Sequence, residues 1–302
     1  MKKANNLQSA KRAKLFFYSV MFAVPLLQFI VFYIGVNFNS LLLVFQKIRD
    51  GETTFAGFEN IVRIVKDLFS EPIFKYAIRN SLVFYIISLL FGTSLALFFS
   101  FYIFKRFPLW SVFRVFLFVP QVISSIVMVI LFTYMVELGI PTLFRDVFGV
   151  QMEGLLENAS TTFGTIVFFN IWVSFGTNVL LYVGSMNNIS DSVVEYAKID
   201  GANYFQEFIY IILPLIYPTI VTFIIIGLAG IFTNQMNLFS FYGKSAEIRF
   251  YTFGYYFYVK ALKASASEYP YLASLGVIIT LVIAPVTIVI RKLLEKFGPK
   301  TD

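Results

Sequence analysis

The sequence predicts an all-α protein that crosses a membrane six times, and three observations carry that prediction. Only 14% of the 302 residues are charged, against roughly a quarter in an ordinary soluble domain, while 58% are hydrophobic and the mean hydropathy is +0.78. The charges are bunched, leaving six charge-free windows at 15–46, 80–104, 115–136, 158–190, 208–243 and 269–290. Each exceeds the roughly 20 residues that a helix needs to cross a bilayer. None alternates polar and apolar residues, which excludes the strands of a membrane barrel, the other regular structure a bilayer admits.

The pieces between the windows are too short to fold alone, so a single bundle is expected. Residues 1–79 hold a tail, the first span and an outer segment, 80–290 the transmembrane domain, and 291–302 a C-terminal tail. The basic stretch 1–14 followed by an apolar run resembles a secretion signal. The run is much longer than a signal core and no A-x-A-like site follows, so it reads as an uncleaved first span. In 47–79, Ile61, Ile64, Val65 and Leu68 recur at helical spacing, as in an amphipathic helix at the membrane interface.

Six spans leave both termini on one side. The segments on that side, 1–14, 105–114, 191–207 and 291–302, carry 13 basic and 6 acidic residues, whereas the other side carries 11 of each. The whole excess of +7 therefore marks the side of the termini as cytoplasmic. The same bias explains a pI near 9.3 without a nucleic-acid partner.

Cysteine and histidine are both absent, which removes thiol nucleophiles, disulfides, haem and Cys/His zinc sites. No catalytic residue, metal site or cofactor is expected in this chain. The run Gly243-Lys244-Ser245 is not a phosphate loop, because the glycine required five positions earlier is Leu238. With no ionisable residue inside the windows, a proton- or voltage-driven pump lacks its working group, so energy for uphill transport must enter from a partner.

The segment 191–207 breaks the basic pattern, with Asp191, Glu195, Asp200 and Glu207 against Lys198 alone. Ser192 and Glu195 stand at capping-box spacing, predicting a short helix that ends at Gly201. Phe205, Phe208, Ile209 and Ile212 then make an apolar stripe, and Pro214 and Pro218 mark entry into span five. Ala197, Gly201 and Ala202 would let another surface approach closely.

The stretch EYAKIDGANYFQEFIYIILP, residues 195–214, resembles the EAA motif of permease subunits of binding-protein-dependent ABC importers, in the carbohydrate-uptake, maltose-type family. Glu195, Ala197, Gly201, Ile211, Leu213 and Pro214 stand at the motif's spacing, Tyr196 replaces its first alanine, and Asp200-Gly201-Ala202 continues as in carbohydrate permeases. Segments 54–84 and 112–136 resemble the family's entry into the permease domain and its next span. The resemblance implies that Glu195, Ala197, Asp200, Gly201 and Ala202, with Leu213 and Pro214 closing the motif within 190–214, couple the spans to a cytoplasmic ATPase. It further implies a second homologous permease, an ABC ATPase dimer holding ATP and Mg, and an extracytoplasmic solute-binding lipoprotein or periplasmic protein. The location would be a bacterial plasma membrane, with lipid as the surrounding partner.

A pathway should be marked by uncharged polar groups, which are costly against lipid. In span four, Asn170, Ser174 and Asn178 share a helical face with Trp172 nearby, and in span five Gly227, Gly230, Asn234 and Asn237 recur every three to four residues. Neutral amides, hydroxyls and aromatic faces suit a sugar. Helix-helix packing is the competing reading for each of these residues. A self-sufficient channel for a neutral solute is the alternative function. A membrane transferase is disfavoured, because no cluster of ionisable residues sits at a membrane face.

Overall fold

The structure, a computed structural model, describes residues 2–299, with side chains from Lys11 onward. The terminal charges of Lys2, Lys3, Lys300 and Asp302 that enter the charge asymmetry lie outside the described side chains. Five helices are long and apolar enough to cross a membrane: Lys11–Val44, Pro72–Phe104, Ser125–Phe148, Thr162–Met186 and Ala266–Phe297. The pair Tyr204–Leu215 and Tyr217–Gly230, bent by 66°, makes a sixth crossing when its arms are taken together. In chain order these are spans one to six, the bent pair being span five. The described residues fall into two compact units, one running to Asp67 and including Ala264–Ile279, the other comprising Leu68–Lys263 and the chain from Thr280. That division differs from a boundary at residue 79.

In the first unit, span one exposes apolar side chains on all its faces, as expected of a helix whose solvent is lipid. A β-hairpin follows, Gln46–Arg49 paired antiparallel with Glu52–Phe55, where the sequence reading had only a helix. Its turn is Asp50-Gly51, with φ of 52° and 84°, the left-handed pair that matches strand twist. The amphipathic helix comes later and is shorter, Glu59–Ser70, burying Ile64 but leaving Val65 outward. Asn60 fastens it to the hairpin by donating to the Val44 and Gln46 carbonyls at 2.9 and 2.8 Å. Lys47 pairs with Glu59 at 2.7 Å, and that hydrogen bond holds the Glu59 carboxyl below its ordinary range.

In the second unit, span two starts at Pro72, eight positions before the charge-free window, because proline at the first helical position lacks only an N–H that would go unpaired anyway. Spans two and four pack tightly: Ala96 and Phe101 meet Val179, Tyr182 and Met186, and the Ser100 hydroxyl donates across to the Val179 carbonyl at 3.0 Å. Span four also meets helix Trp110–Val122, where Gly176 lies against the Leu117 carbonyl so closely that an added Cβ would be 1.9 Å from it.

Two windows misplaced their spans. The window 115–136 straddles a break: helix Trp110–Val122 stops, Ile123 and Ser124 are extended, and span three begins at Ser125. A search for charge-free length is blind to a local change of ψ between uncharged residues such as Ile123 and Ser124. Span three consequently runs past the window and includes Glu137, so an acid does occur within a spanning helix. Its Oε1 accepts from the Leu156 N–H at 2.6 Å. The window 208–243 is likewise interrupted: the helix ends at Gly230, and Met236 and Asn237 take left-handed conformations before the short helix Leu238–Tyr242.

Gly176→Ala should destabilise the protein by about 1–3 kcal/mol through overpacking. Gly184→Ala, whose Cβ would meet nothing within 4 Å, should be neutral or gain up to about 1 kcal/mol of helix propensity. Thermal unfolding midpoints of the detergent-solubilised variants check both.

Candidate coupling element and translocation cavity

Helix Asp191–Ile199 has an extended Ser190 as its N-cap, with the Ser190 and Ser192 hydroxyls paired at 3.0 Å. The Ser192–Glu195 capping box does not form, because the helix begins one residue before Ser192. Its end is as predicted. The Gly201 N–H donates to the Lys198 carbonyl at 3.1 Å and the Ala202 N–H to the Ala197 carbonyl at 3.0 Å, a paired closure that needs a left-handed residue. Gly201 supplies it with φ of 78° and open space around it. Glu195, Asp200 and Gly201 are exposed, Ala202 is half-buried and Ala197 is buried.

A capping box forms further on. The Asn203 side chain accepts from the Gln206 N–H and the Gln206 side chain from the Asn203 N–H, both at 2.9 Å. This starts Tyr204–Glu207, which continues as a π-helical turn, Phe208–Ile212, and then Leu213–Leu215. Of the predicted stripe, Ile212 is buried, Phe208 and Ile209 are half-buried and Phe205 points outward. Leu213 packs on the cluster of Val179 and Ile216, while Pro214 and Pro218 flank the 66° bend, where each ring removes a backbone donor.

The sequence reading missed Glu207 as anything but a loop charge. Its side chain is 2% exposed and meets Lys105 Nζ, itself 7% exposed, at 2.5 Å. The ammonium also lies 5.6–5.9 Å from the ring centres of Tyr204, Phe101 and Phe104. The available signal was an acid four positions from Asn203 inside an otherwise apolar stripe.

A cavity of about 470 Å³ opens between spans two, four and five, within the range of small-molecule sites. Ser81, Ser88 and Thr93 line it from span two, Ser174 and Asn178 from span four, and Gly227, Gly230, Thr233 and Asn234 from span five and the turn after it. Phe84, Tyr85, Tyr182 and Phe223 supply aromatic surface, and the lining holds no charged residue among the described residues. Span two turns π-helical at Ser88–Thr93 along this wall, an irregularity common at functional sites.

Five of the eight pathway residues chosen from spacing thus come together: Ser174, Asn178, Gly227, Gly230 and Asn234. Asn170 does not line the cavity. Its amide donates to the Ile166 and Met236 carbonyls at 2.8 and 2.9 Å and accepts from the Asn237 amide at 2.8 Å. Asn237 is correspondingly spent on that contact, and its left-handed backbone takes it off the helical face assumed for it. Trp172 joins an aromatic group with Phe132 and Phe169 instead. Gly227 has a second role, since a Cβ there would come 2.9 Å from the Tyr85 ring, whose hydroxyl donates to the Ile224 carbonyl at 3.0 Å. The Tyr85 contact, which closes the cavity between spans two and five, carried no sequence signal.

The family of binding-protein-dependent transport system inner membrane components matches residues 88–300. A probable ABC transporter permease, YurN of Bacillus subtilis, is 31% identical over 224 residues, 70% of this chain and 74% of its own. The arabinooligosaccharides transport system permease AraP of Bacillus subtilis is 25% identical, covering 92% and 88%. The fold is similar, with a TM-score of 0.74, 22% identity and 94% of each chain covered, to a chain of a bacterial alginate ABC transporter solved in complex with an alginate pentasaccharide-bound periplasmic protein.

Removing the three hydrogen bonds of the Asn170 amide should cost about 1–3 kcal/mol, because buried carbonyls lose their donors. Asn170→Ala is therefore expected to lower the unfolding midpoint by several degrees, while Asn178→Ala, at the cavity wall, leaves it unchanged.

Proposed function

The chain belongs to the family of binding-protein-dependent transport system inner membrane components, and from that premise we propose that it forms half of the translocation pathway of an ATP-driven carbohydrate importer. The observation that carries this reading is the placement of the EAA-like segment. An exposed helix with a rigid glycine closure stands immediately before a sharply bent span, and that span lines an uncharged cavity. A force applied at Asp191–Ile199 has a short path to the cavity wall.

In this reading the surface of Glu195, Asp200, Gly201 and Ala202 docks on an ABC ATPase dimer, which holds ATP and Mg. A second homologous permease supplies the other half of the pathway, and a solute-binding protein delivers the solute from outside. The termini and the coupling element face the cytoplasm, which the excess of basic residues on that side supports. ATP-driven closure of the ATPases would bring the coupling helices together and open the pathway outward. Hydrolysis would reset it inward. Catalysis of hydrolysis belongs to the partner.

The cavity chemistry narrows the cargo. Hydroxyls and amides from Thr93, Ser174 and Asn178 match the hydroxyls of a sugar, and Tyr85 and Phe223 offer surfaces for its apolar ring face. Without a lysine or arginine in the lining, the site suits a neutral oligosaccharide better than an acidic one such as alginate, because nothing there would offset a desolvated carboxylate.

Gly201→Val forces a branched side chain into a left-handed conformation at a cost of about 1–2 kcal/mol, too little to unfold the bundle but enough to remodel the helix end. In proteoliposomes holding the whole transporter, Gly201→Val is expected to cut uptake at least tenfold and Glu195→Ala severalfold, with the chain still inserted. Wild-type uptake by both would remove the coupling role and favour a self-sufficient channel. Asn178→Ala and Asn234→Ala should lower the stimulation of ATP hydrolysis by neutral oligosaccharide, and unchanged stimulation would take the cavity out of the pathway.

A further inference from the structure

We propose that Lys105 and Glu207 are positioning residues that tie span two rigidly to the coupling element throughout the transport cycle. The inference rests on the importer reading above. Lys105 is the first charge after the apolar run of span two, at the C-cap of its last helix, Ser94–Phe104. Glu207 ends the short helix Tyr204–Glu207. Separated by 102 positions in the chain, their charged atoms meet at 2.5 Å in a setting walled by Phe101, Phe104 and Tyr204.

Such a pair is a poor way to gain stability. Taking two charges out of water costs about as much as their attraction returns, and apolar pairs of similar volume often serve a fold as well or better. What a buried pair provides is direction: each charge has one acceptable partner, and low surrounding polarity makes slippage expensive. The connectivity supplies the reason for direction here. The coupling element is covalently continuous with spans four and five only. Span two reaches it through this pair and through the Phe101 ring, 4.9 Å from that of Phe208, and span two brings Ser81, Tyr85, Ser88 and Thr93 to the cavity. With the tie in place, displacement of the element moves three cavity walls together. Without it, span two meets the element through apolar contacts such as Phe101 on Phe208, which fix no direction, and span two lags. The π-helical turns Ser88–Thr93 and Phe208–Ile212 flank the tie on the two elements it joins, so bending has places to occur on either side of a fixed point.

The absence of cysteine from the sequence makes the test clean. In the assembled transporter, Lys105→Cys/Glu207→Cys joined by a short bifunctional thiosulfonate should transport at no less than half the wild-type rate. The apolar pair Lys105→Met/Glu207→Leu should assemble and hydrolyse ATP, but move at least tenfold less solute per ATP. Restoration of that ratio by the exchanged pair Lys105→Glu/Glu207→Lys would show that directed attraction, and not packing, is what matters. Arrest on cross-linking, or wild-type coupling in the apolar pair, would overturn the rigid tie. Amide hydrogen exchange over residues 203–212 reads the contact without transport. At least tenfold faster exchange in the apolar pair is expected, and unchanged exchange would count against the tie even if the importer reading itself failed for lack of ATP-driven uptake by the wild-type transporter.

Discussion

Helices in a bilayer gain no hydrophobic energy from meeting one another, so their relative positions depend on close packing and on polar groups that cross between them. Here the crossing groups are side chains donating to the backbone of another segment. Ser100 reaches the Val179 carbonyl, Tyr85 the Ile224 carbonyl, Asn80 the Arg249 and Tyr251 carbonyls, and Asn170 the Met236 carbonyl. A carbonyl already paired within its helix retains a second lone pair, so the contacts to Val179 and Ile224 add ties without breaking a helix, while those to Met236, Arg249 and Tyr251 satisfy carbonyls outside the long helices. Two of these ties join spans that wall the cavity, Ser100 linking spans two and four and Tyr85 linking spans two and five. Tyr85 illustrates this: it fills the space that Gly227 leaves, fastens to Ile224 one turn away, and forms part of the cavity wall.

Much of this was legible in the sequence, for reasons that differ by scale. Span number follows from charge-free length, since a bilayer penalises charge and little else so strongly. The end of helix Asp191–Ile199 was legible because Gly201 satisfies a local demand, a left-handed residue, that few other residues meet. The hairpin was announced by Asp50-Gly51, a turn signal submerged in a segment scanned for helical period.

What could not be read is the division of polar residues between gluing and lining. Asn170 and Asn178 are the same residue type on the same helical face two turns apart, yet one is consumed by the turn at Met236 and Asn237 and the other faces the cavity. The difference arises from where span five stops, which spacing within span four does not encode. In the same way the stretch Asn234 to Asn237 was mistaken for helix because it carries no charge. It is turn chemistry: the Asn234 side chain accepts from the Met236 N–H at 2.8 Å and Asn237 adopts the left-handed form.

The placement of charge bears on how such a bundle is driven in the proposed importer. Ionisable groups cluster at the ends of the spans, and those with buried side chains are matched by a specific partner, as Lys105 is by Glu207. Within span three, Glu137 has an oxygen committed to the Leu156 backbone and Asp146, near the end of the span, pairs with Arg145; neither acid is in the cavity lining. A cavity lined by no carboxylate, ammonium or guanidinium group lacks the charges through which membrane proteins ordinarily respond to a proton or a potential. Its affinity changes only when its walls move, and the walls are held by neutral hydrogen bonds that do not themselves switch. Movement must therefore arrive along the chain, through the bend at Pro214 and Pro218, or across a contact stiff enough to transmit it. In the proposed importer, the neutrality that would suit the cavity to a sugar is the same property that would leave it dependent on force applied elsewhere.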